Sequence, residues 1–373
     1  MPLLEKIVIS DFRNIEMQEL EFSPNINCIS GNNGEGKTNL LDAIYYMSMT
    51  KSAFASTDKF NFRHGTNRFS IASTYRMENG LSSKFAMQVD AKGEKKIRRD
   101  DKPYSKISEH VGVLPVVLVS PSDISMVSES GEERRRFVNA VLSQMDKSYL
   151  ADIQQYNRLL MQRNSLLKGT SPDYSLLEVL DMRMASLAEP IYNKRKTFVE
   201  DLNPVVSEYY RLLSGGNEDV SISYESDLSH GPLDRILSSA LERDLKLRYT
   251  GAGIQRDDFV FMMDGWQIRR CGSQGQQKSF LVSLKFAQYE IMKRSYGFAP
   301  TLLLDDVFDK LDMGRIANLL QMVSGNEFGQ IFITDSNKVR LAGIVDKLTQ
   351  DRAYFETAGG TFKRMDDGVQ EEK

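Results

Sequence analysis

Near the start of the chain, Gly31 is separated by four residues from Gly36, Lys37 and Thr38, in the stretch "GNNGEGKT". This spacing fits the pattern G-x-x-x-x-G-K-[ST], and each of its residue types does something to a phosphate. Glycines let backbone amides turn inward on an anion because no Cβ stands in the way. Lys37 supplies the cation that neutralises the outer phosphates, and Thr38 supplies a hydroxyl for Mg2+. The segment Gly31, Asn32, Asn33, Gly34, Glu35, Gly36, Lys37, Thr38 is therefore expected to cradle a nucleoside triphosphate with its magnesium ion.

Two further groups could act on that ligand. In "APTLLLDD" (Ala299 to Asp306) a run of apolar residues leads into two consecutive carboxylates. A buried strand ending in an acid would present Asp305 to magnesium, directly or through water. Asp306 would then polarise the attacking water. Alone, such a pair caps a turn as readily as it binds metal; the phosphate loop upstream favours the metal role. The third group is Gly272, Ser273, Gln274, Gly275 and Gln276, ahead of a long amphipathic helix. Serine, glycine and unsatisfied helix amides make an anion site. A chain that already has a nucleotide cradle has no use for a second one, unless it serves another copy. A Ser-x-Gly-Gln run shortly before a strand that ends in acids resembles the layout of ABC-type ATPases. That likeness implies that Ser273, with Gly275 and Gln276, closes in trans on the γ-phosphate of ATP held by a second copy.

These groups need elements to hold them. "INCIS" (Ile26 to Ser30) reads as a short buried strand, and Leu40, Leu41, Ile44 and Tyr45 recur at helical spacing after the loop. The loop is thus predicted between a strand and a helix whose N-terminus faces the anion. The opening "LEKIVISDFRNIEMQELEFSPNINCIS" predicts two or three strands, while "RFSIASTYRM" and "SSKFAMQVD" alternate apolar and polar residues, with "ENG" and "AKGEKK" as hairpin turns. This predicts an antiparallel sheet added to the nucleotide core. "LPVVLVSPSD" (Leu114 to Asp123) is a continuous apolar run, as a strand covered on both faces requires. From Lys147 the period becomes helical, through Tyr149, Leu150, Ile153, Tyr156, Leu160 and Leu167. A second segment follows the break "GTSPDY", and a third, with Phe198, Leu202, Val206, Tyr209 and Leu213, stops at Gly215 and Gly216. The expected fold is α/β: an ABC-type ATPase head, with a P-loop core sheet plus an antiparallel β subdomain, assembled from 1–143 and 245–373, with an inserted helical arm over 144–244.

Composition sets outer limits. With 373 residues and 41% hydrophobic content the chain can bury a large core and form two units. Apolar runs are too short to span a membrane, and acids inside the opening apolar stretch are unlike a secretory signal, so a cytoplasmic protein is expected. Cys28 and Cys271 are far apart, and His64, His110 and His230 are scattered, so neither a disulfide framework nor a zinc site is implied. A net charge of −3 argues against wholesale polyanion binding but leaves room for a local patch. The basic runs "KGEKKIRRDDK" (Lys92 to Lys102), "ERRR" (Glu133 to Arg136) and "NKRK" (Asn193 to Lys196) read as solvated faces before they read as nucleic-acid contacts, since the first two are interleaved with acids.

Further stretches carry a closer likeness. "DFRNI" (Asp11 to Ile15), "SPSDISMVSESGEERRRFVN" (Ser120 to Asn139), "YNRLLMQRNSLL" (Tyr156 to Leu167) and "GIQRDDF" (Gly253 to Phe259), together with the three groups above, span essentially the whole chain. In that order they resemble the RecF family, bacterial DNA repair ATPases related to the SMC heads. The resemblance implies an ATP-dependent homodimer, binding to gapped duplex or single-strand/duplex junction DNA, and recruitment of recombination mediator proteins of the RecR and RecO type. It also implies that Arg13 and Asn14 lie near the nucleotide. Departures from the ABC pattern are visible. "VSPSD" stands where transport-type members have a loop glutamine, Thr334 and Asp335 stand where they have a histidine, and Gln255 stands where other family members have one. Asp306 replaces the usual catalytic glutamate, which suits slow hydrolysis and a switch more than a motor. Another SMC-like ATPase and a P-loop phosphotransferase acting on a small molecule remain the alternatives. A transporter subunit would need the missing glutamine and histidine, and a nuclease would need a further acidic metal cluster.

Overall fold

Strands with one apolar face and strands that are apolar throughout fold here into two kinds of sheet. The computed structural model describes residues 1–129, 131–169, 171–215, 218–307, 328–346 and 349–365. The end of the carboxylate motif (308–312), the charged tail (366–373), Thr170 and Gly216 lie outside the described residues. The chain divides into two compact units: Met1–Asp123 with Leu212–Gly215 and Leu281–Lys373, and Ile124–Arg211 with Gly216–Phe280.

In the first unit, β1 (Leu3–Phe12), β2 (Ile15–Glu21), β4 (Arg68–Arg76), β5 (Ser82–Asp90), β6 (Lys95–Arg99) and β7 (Lys102–Pro103) form an antiparallel sheet in the order β2-β1-β4-β5-β6-β7. β4 and β5 bury alternate residues, as their sequences require. The two predicted turns join β4 to β5 and β5 to β6, with Gly80 and Gly93 at positive φ. The other sheet contains β3 (Ile26–Ser30), β8 (Val116–Val119), β12 (Thr301–Leu304), β13 (Ile331–Asp335), β14 (Arg352–Ala358) and β15 (Thr361–Met365), in the order β15-β14-β3-β13-β12-β8. All pairings are parallel except β14 with β15. Every residue of β3, β8, β12 and β13 is buried, which explains the unbroken apolar runs Val116–Val119 of β8 and Leu302–Leu304 of β12. In such sheets ligands gather at the carboxyl ends of the strands. Here those ends carry the phosphate loop after β3, Asp305 and Asp306 after β12, and Thr334 and Asp335 closing β13. Helix α1 (Lys37–Met49) follows the loop, and its Tyr46 ring packs edge-on against Phe12 and Phe69 of the antiparallel sheet.

In the second unit, α2 (Ser125–Ser128), α3 (Gly131–Met145), α4 (Lys147–Leu167), α5 (Tyr174–Ser214), α6 (Leu233–Leu247) and α7 (Ile268–Cys271) accompany a sheet of β9 (Val220–Glu225), β10 (Asp258–Met263) and β11 (Trp266–Gln267). Asp146 caps α4 by accepting from the amides of Ser148 and Tyr149. The second and third helical segments of the sequence reading are one 41-residue helix, α5, which runs through Pro190 and Pro204. Each proline removes one helical hydrogen bond. The continuous stripe Leu177, Leu180, Met184, Ala188, Ile191, Phe198, Leu202, Val206 and Leu213, all buried, offsets that loss. The arm limits expected at 144 and 244 fall inside this unit. β9 lies before the second limit and β10 after it, and the two pair antiparallel from Asp258↔Glu225 to Met263↔Val220.

Three arginines of the basic runs, Arg134, Arg135 and Arg195, serve this unit's interior, whereas Arg136 stays on the surface with Glu132 and Glu133. Arg195 is buried and reaches Asp257 at 2.5 Å, the Ile254 carbonyl at 2.8 Å and Asn139 at 3.0 Å. Arg134 grips Asp258 with two bonds of 2.8 and 3.0 Å, and Arg135 donates to the Asp257 carbonyl at 2.7 Å. Arg163 of α4 bridges Asp181 (2.6 Å) and Asp244 (2.7 Å). The paired acids of "GIQRDDF" are thus anchors for arginines distant in sequence, and Gln255 accepts from the Tyr156 hydroxyl at 2.5 Å. Burial raises the carboxyl pKa of Asp257, and Arg195 opposes that rise. Asp257→Ala leaves Arg195 buried without its charge partner. An unfolding free energy lower by about 3–5 kcal/mol is expected. Denaturant titration checks it, and an unshifted midpoint would refute the role given to this pair.

Candidate nucleotide site

The phosphate loop owes its path to backbone conformations open to glycine. Gly31, Gly34 and Gly36 have φ values of 153°, 86° and 111°. Gly36 is the N-cap of α1, and no acid stands in that helix's first turn to compete for its positive end. Two neighbouring turns press on the loop. A Cβ on Gly31 would stand 2.6 Å from the Thr357 carbonyl, and one on Gly36 would stand 2.9 Å from the Asn14 amide group. The Glu35 carbonyl accepts from the Thr357 hydroxyl at 3.1 Å and from the Gly360 amide at 2.9 Å, while its carboxylate accepts from the Gly359 amide. The cradle is therefore held between the β1–β2 turn and the β14–β15 turn.

Arg13, at φ 53°, reaches behind the loop: it contacts Asn39 at 3.0 Å and pairs with buried Asp42 of α1 at 2.6 Å. Asn14 accepts from the Asn39 side-chain amide at 2.7 Å. Burial raises the pKa of Asp42, and Arg13 opposes the rise. Arg13 thus braces the first turn of α1, while Asn14 touches the cradle itself.

Lys37 is buried and folds over the loop, donating to the carbonyls of Gly31 (2.7 Å) and Asn32 (3.2 Å). The Thr38 hydroxyl meets both carboxylate oxygens of Asp305 at 3.0 Å. Asp305 lies 267 positions away, and parallel pairing within one sheet brings the two together. Burial raises its carboxyl pKa; bonds from Thr334 and Thr38 oppose the rise and Asp306 adds to it. The buried Thr334 hydroxyl donates to Asp305 at 2.8 Å and accepts from the Asp306 amide at 3.0 Å. Asp306 itself takes a left-handed φ of 45°, a conformation that Asp and Asn tolerate better than most residues.

Hydroxyl and carboxylate oxygens at Thr38 and Asp305 suit a hard cation such as Mg2+, which keeps few protein ligands and takes the rest from phosphate and water. Among the described residues no group of three or more His, Cys, Asp or Glu could hold a metal. The cradle and this donor pair fit magnesium–ATP.

The structure brings together Gly31, Asn32, Asn33, Gly34, Glu35, Gly36, Lys37, Thr38, Asp305 and Asp306 in the first unit. Ser273, Gly275 and Gln276 belong to the second unit, at the start of α8 (Gln274–Tyr296). Ser273 and Gln276 form a reciprocal cap: the Ser273 amide donates to the Gln276 side chain at 2.7 Å, and the Gln276 amide donates to the Ser273 hydroxyl at 3.3 Å. That cap fixes the loop and leaves Ser273 exposed. Sequence does not single out Glu35 as a tether or the turn Thr357–Gly360 as a site, and it marks Thr334 only as standing where transport-type members have a histidine. Only the Gly-Gly pair at 359–360 signalled a tight turn.

Gly360 offers a direct probe of the cradle. A Cβ there would stand 2.2 Å from the Asn14 carbonyl, at φ 83°. Gly360→Ala must displace the β1–β2 turn or the β14–β15 turn. Nucleotide affinity should fall on the order of tenfold to a hundredfold, the loss of one charged hydrogen bond of roughly 1.5–3 kcal/mol. Gly80→Ala, with similar φ and open space around it, should leave affinity unchanged. Equal affinity in the two variants by calorimetric titration would contradict the clamped cradle.

A phosphate cradle after one strand of this α/β sheet and acids at the end of another define an ABC-type ATPase head. The chain matches the model of the RecF/RecN/SMC N terminal domain over residues 3–351. It is 41% identical over 365 residues to the DNA replication and repair protein RecF of Parabacteroides distasonis, covering 98% of this chain and 100% of that one. It is 38% identical to RecF of Bacteroides fragilis, across 98% of this chain and 99% of the relative. A solved structure of the recombination mediator protein RecF with ATP in the RecFOR pathway matches with a TM-score of 0.89 at 30% identity, covering 98% of both chains. An Smc head from Pyrococcus furiosus, at 17% identity and a TM-score of 0.57 over 98% of this chain and 96% of that one, shares the fold alone. The chain belongs to the RecF family of DNA replication and repair proteins.

Proposed function

We propose that this chain is an ATP-driven switch in recombinational DNA repair: it dimerises on ATP, closes on gapped or junction DNA, recruits mediator proteins of the RecR and RecO type, and is reset by slow hydrolysis. The observation that carries the nucleotide part is the contact of Thr38 with both oxygens of Asp305 beside the glycine cradle. The ATP complex of a relative at 30% identity supports the same ligand. Magnesium–ATP, when bound, supplies the reactive phosphoryl group and a metal that draws charge from it. Lys37 swings from the loop carbonyls to the outer phosphates. Thr38 and Asp305 hold the metal. Asp306, on a backbone fixed by Thr334, orients a water and takes its proton. Ser273, with Gly275 and Gln276, completes the site from the second copy. The head is assigned to 1–143 with 245–373 and the inserted helical arm to 144–244. Among the described residues no helix is long and apolar enough to cross a membrane, in keeping with action on chromosomal DNA in the cytoplasm.

DNA affinity tests this reading. A dimer would gather the phosphate contacts of two copies on one duplex, so binding to gapped DNA should require ATP and should weaken steeply with salt. Equal affinity with and without ATP across a salt series would contradict the closed dimer.

A further inference from the structure

The chain's single tryptophan, Trp266, is 71% exposed, an unusual setting for a ring that proteins otherwise bury. A rigid hairpin holds it there. β10 and β11 are joined by the two-residue turn Asp264–Gly265, both at positive φ, with Met263 opposite Trp266. The Asp264 amide donates to the Asp219 carbonyl at 2.8 Å, and its carboxylate accepts from the Asp219 amide at 2.9 Å. The preceding residue, Glu218, accepts from the Gln276 side chain at 2.7 Å. Residues 218 and 219 thus clamp the tryptophan hairpin to the first turn of α8, the turn that Ser273 caps. Between hairpin and cap stand Arg269 and Arg270, both exposed. The Arg269 side chain bonds only Gln267, at 3.0 Å, and neither guanidinium meets an acid among the described residues.

We propose that Trp266, Arg269 and Arg270 form the anchor by which one copy of this chain grips the nucleotide-loaded face of a second copy. Tryptophan and arginine are the residue types that dominate association energy when a rigid element presents them. The two guanidinium groups complement the negative face that a bound triphosphate and Asp306 give to the cradle of the second copy. The patch is continuous with Ser273 and Gly275, and it rests on the reading that those residues work in trans. It also makes association depend on nucleotide, because without the triphosphate the two cations meet little negative charge.

Trp266, as the only tryptophan, reports its own burial. Fluorescence and acrylamide quenching are followed with and without magnesium and a slowly hydrolysed ATP analogue, while light scattering gives the mass of the same samples. The expected result is a blue shift and a severalfold drop in quenching that track the doubling of mass as protein concentration rises. Trp266→Ala and Arg270→Glu should each weaken the nucleotide-dependent dimer at least about tenfold, with unchanged thermal unfolding and unchanged nucleotide affinity of the single chain. Doubling of mass with Trp266 still open to quencher, or with both variants dimerising normally, overturns the anchor and leaves the trans site standing. No doubling at any concentration sinks the trans site and the anchor with it. A spectral change on gapped DNA alone, at constant mass, assigns Trp266 to base stacking and overturns the anchor too.

Discussion

Lys37→Ala should abolish nucleotide binding under conditions that saturate the unaltered protein. In the structure the ammonium group is buried and occupied with the carbonyls of Gly31 and Asn32 at 2.7 and 3.2 Å. These carbonyls are neutral acceptors, and the ionised oxygens of a triphosphate, which add ion pairing to the hydrogen bond, would replace them. Removing the ammonium forfeits two such bonds at roughly 1.5–3 kcal/mol each, so affinity should fall on the order of a hundredfold or more. The fold should persist, since the lysine stabilises only its own loop. Calorimetric titration with ATP and magnesium reads the loss directly. Affinity within about twofold of the unaltered chain would remove the cradle from the account.

Asp306→Asn should do the opposite to the cycle, leaving binding intact and stopping turnover. Asparagine tolerates the left-handed backbone as aspartate does, so the φ of 45° and the amide bond to Thr334 at 3.0 Å are retained. On the proposed role, what is lost is the charge that would orient water and accept its proton, a contribution of about 10²–10⁴-fold in rate. ATP affinity should change little, and the ATP-bound dimer should outlive that of the unaltered protein. Unchanged single-turnover hydrolysis would make Asp306 a backbone device and pass the water to another group.

Local patterns carried most of the head. The phosphate loop, β3 and α1 are legible because the spacing of glycines and the flanking periodicity concern neighbouring residues only. β8 and β12 are legible because burial on both faces leaves an unbroken apolar run. The bracing of the cradle was not legible, since Thr357 and Gly360 reach Glu35 across more than three hundred positions, and a threonine ending β13 looks like any strand residue. The basic runs misled in a different way. Arg134 and Arg195 read as surface charge because the acids that neutralise them, Asp258 and Asp257, lie 124 and 62 positions away. β9 did carry a signal, the alternation Val220, Ile222, Tyr224, which a helical expectation for the arm overrode. The glycine-flanked serine at 273 was legible as a loop ahead of a helix; its cap with Gln276 shows how the loop is held.

If the cradle is half of a site that Ser273 of a second copy completes, as proposed, two inactive variants should rescue each other when mixed. Lys37→Ala should not hold nucleotide, and Ser273→Arg would place a bulky cation where the partner's γ-phosphate is proposed to dock. Each alone should show no nucleotide-dependent hydrolysis. In a mixed dimer the Ser273→Arg chain contributes an intact cradle with Asp305 and Asp306, and the Lys37→Ala chain contributes an intact serine loop, so one working site is restored. Steady-state ATPase of the mixture should recover, up to about half the normal rate per mixed dimer for independent sites and less where closure couples them. Full activity of Ser273→Arg on its own, as a single chain, would contradict the shared site.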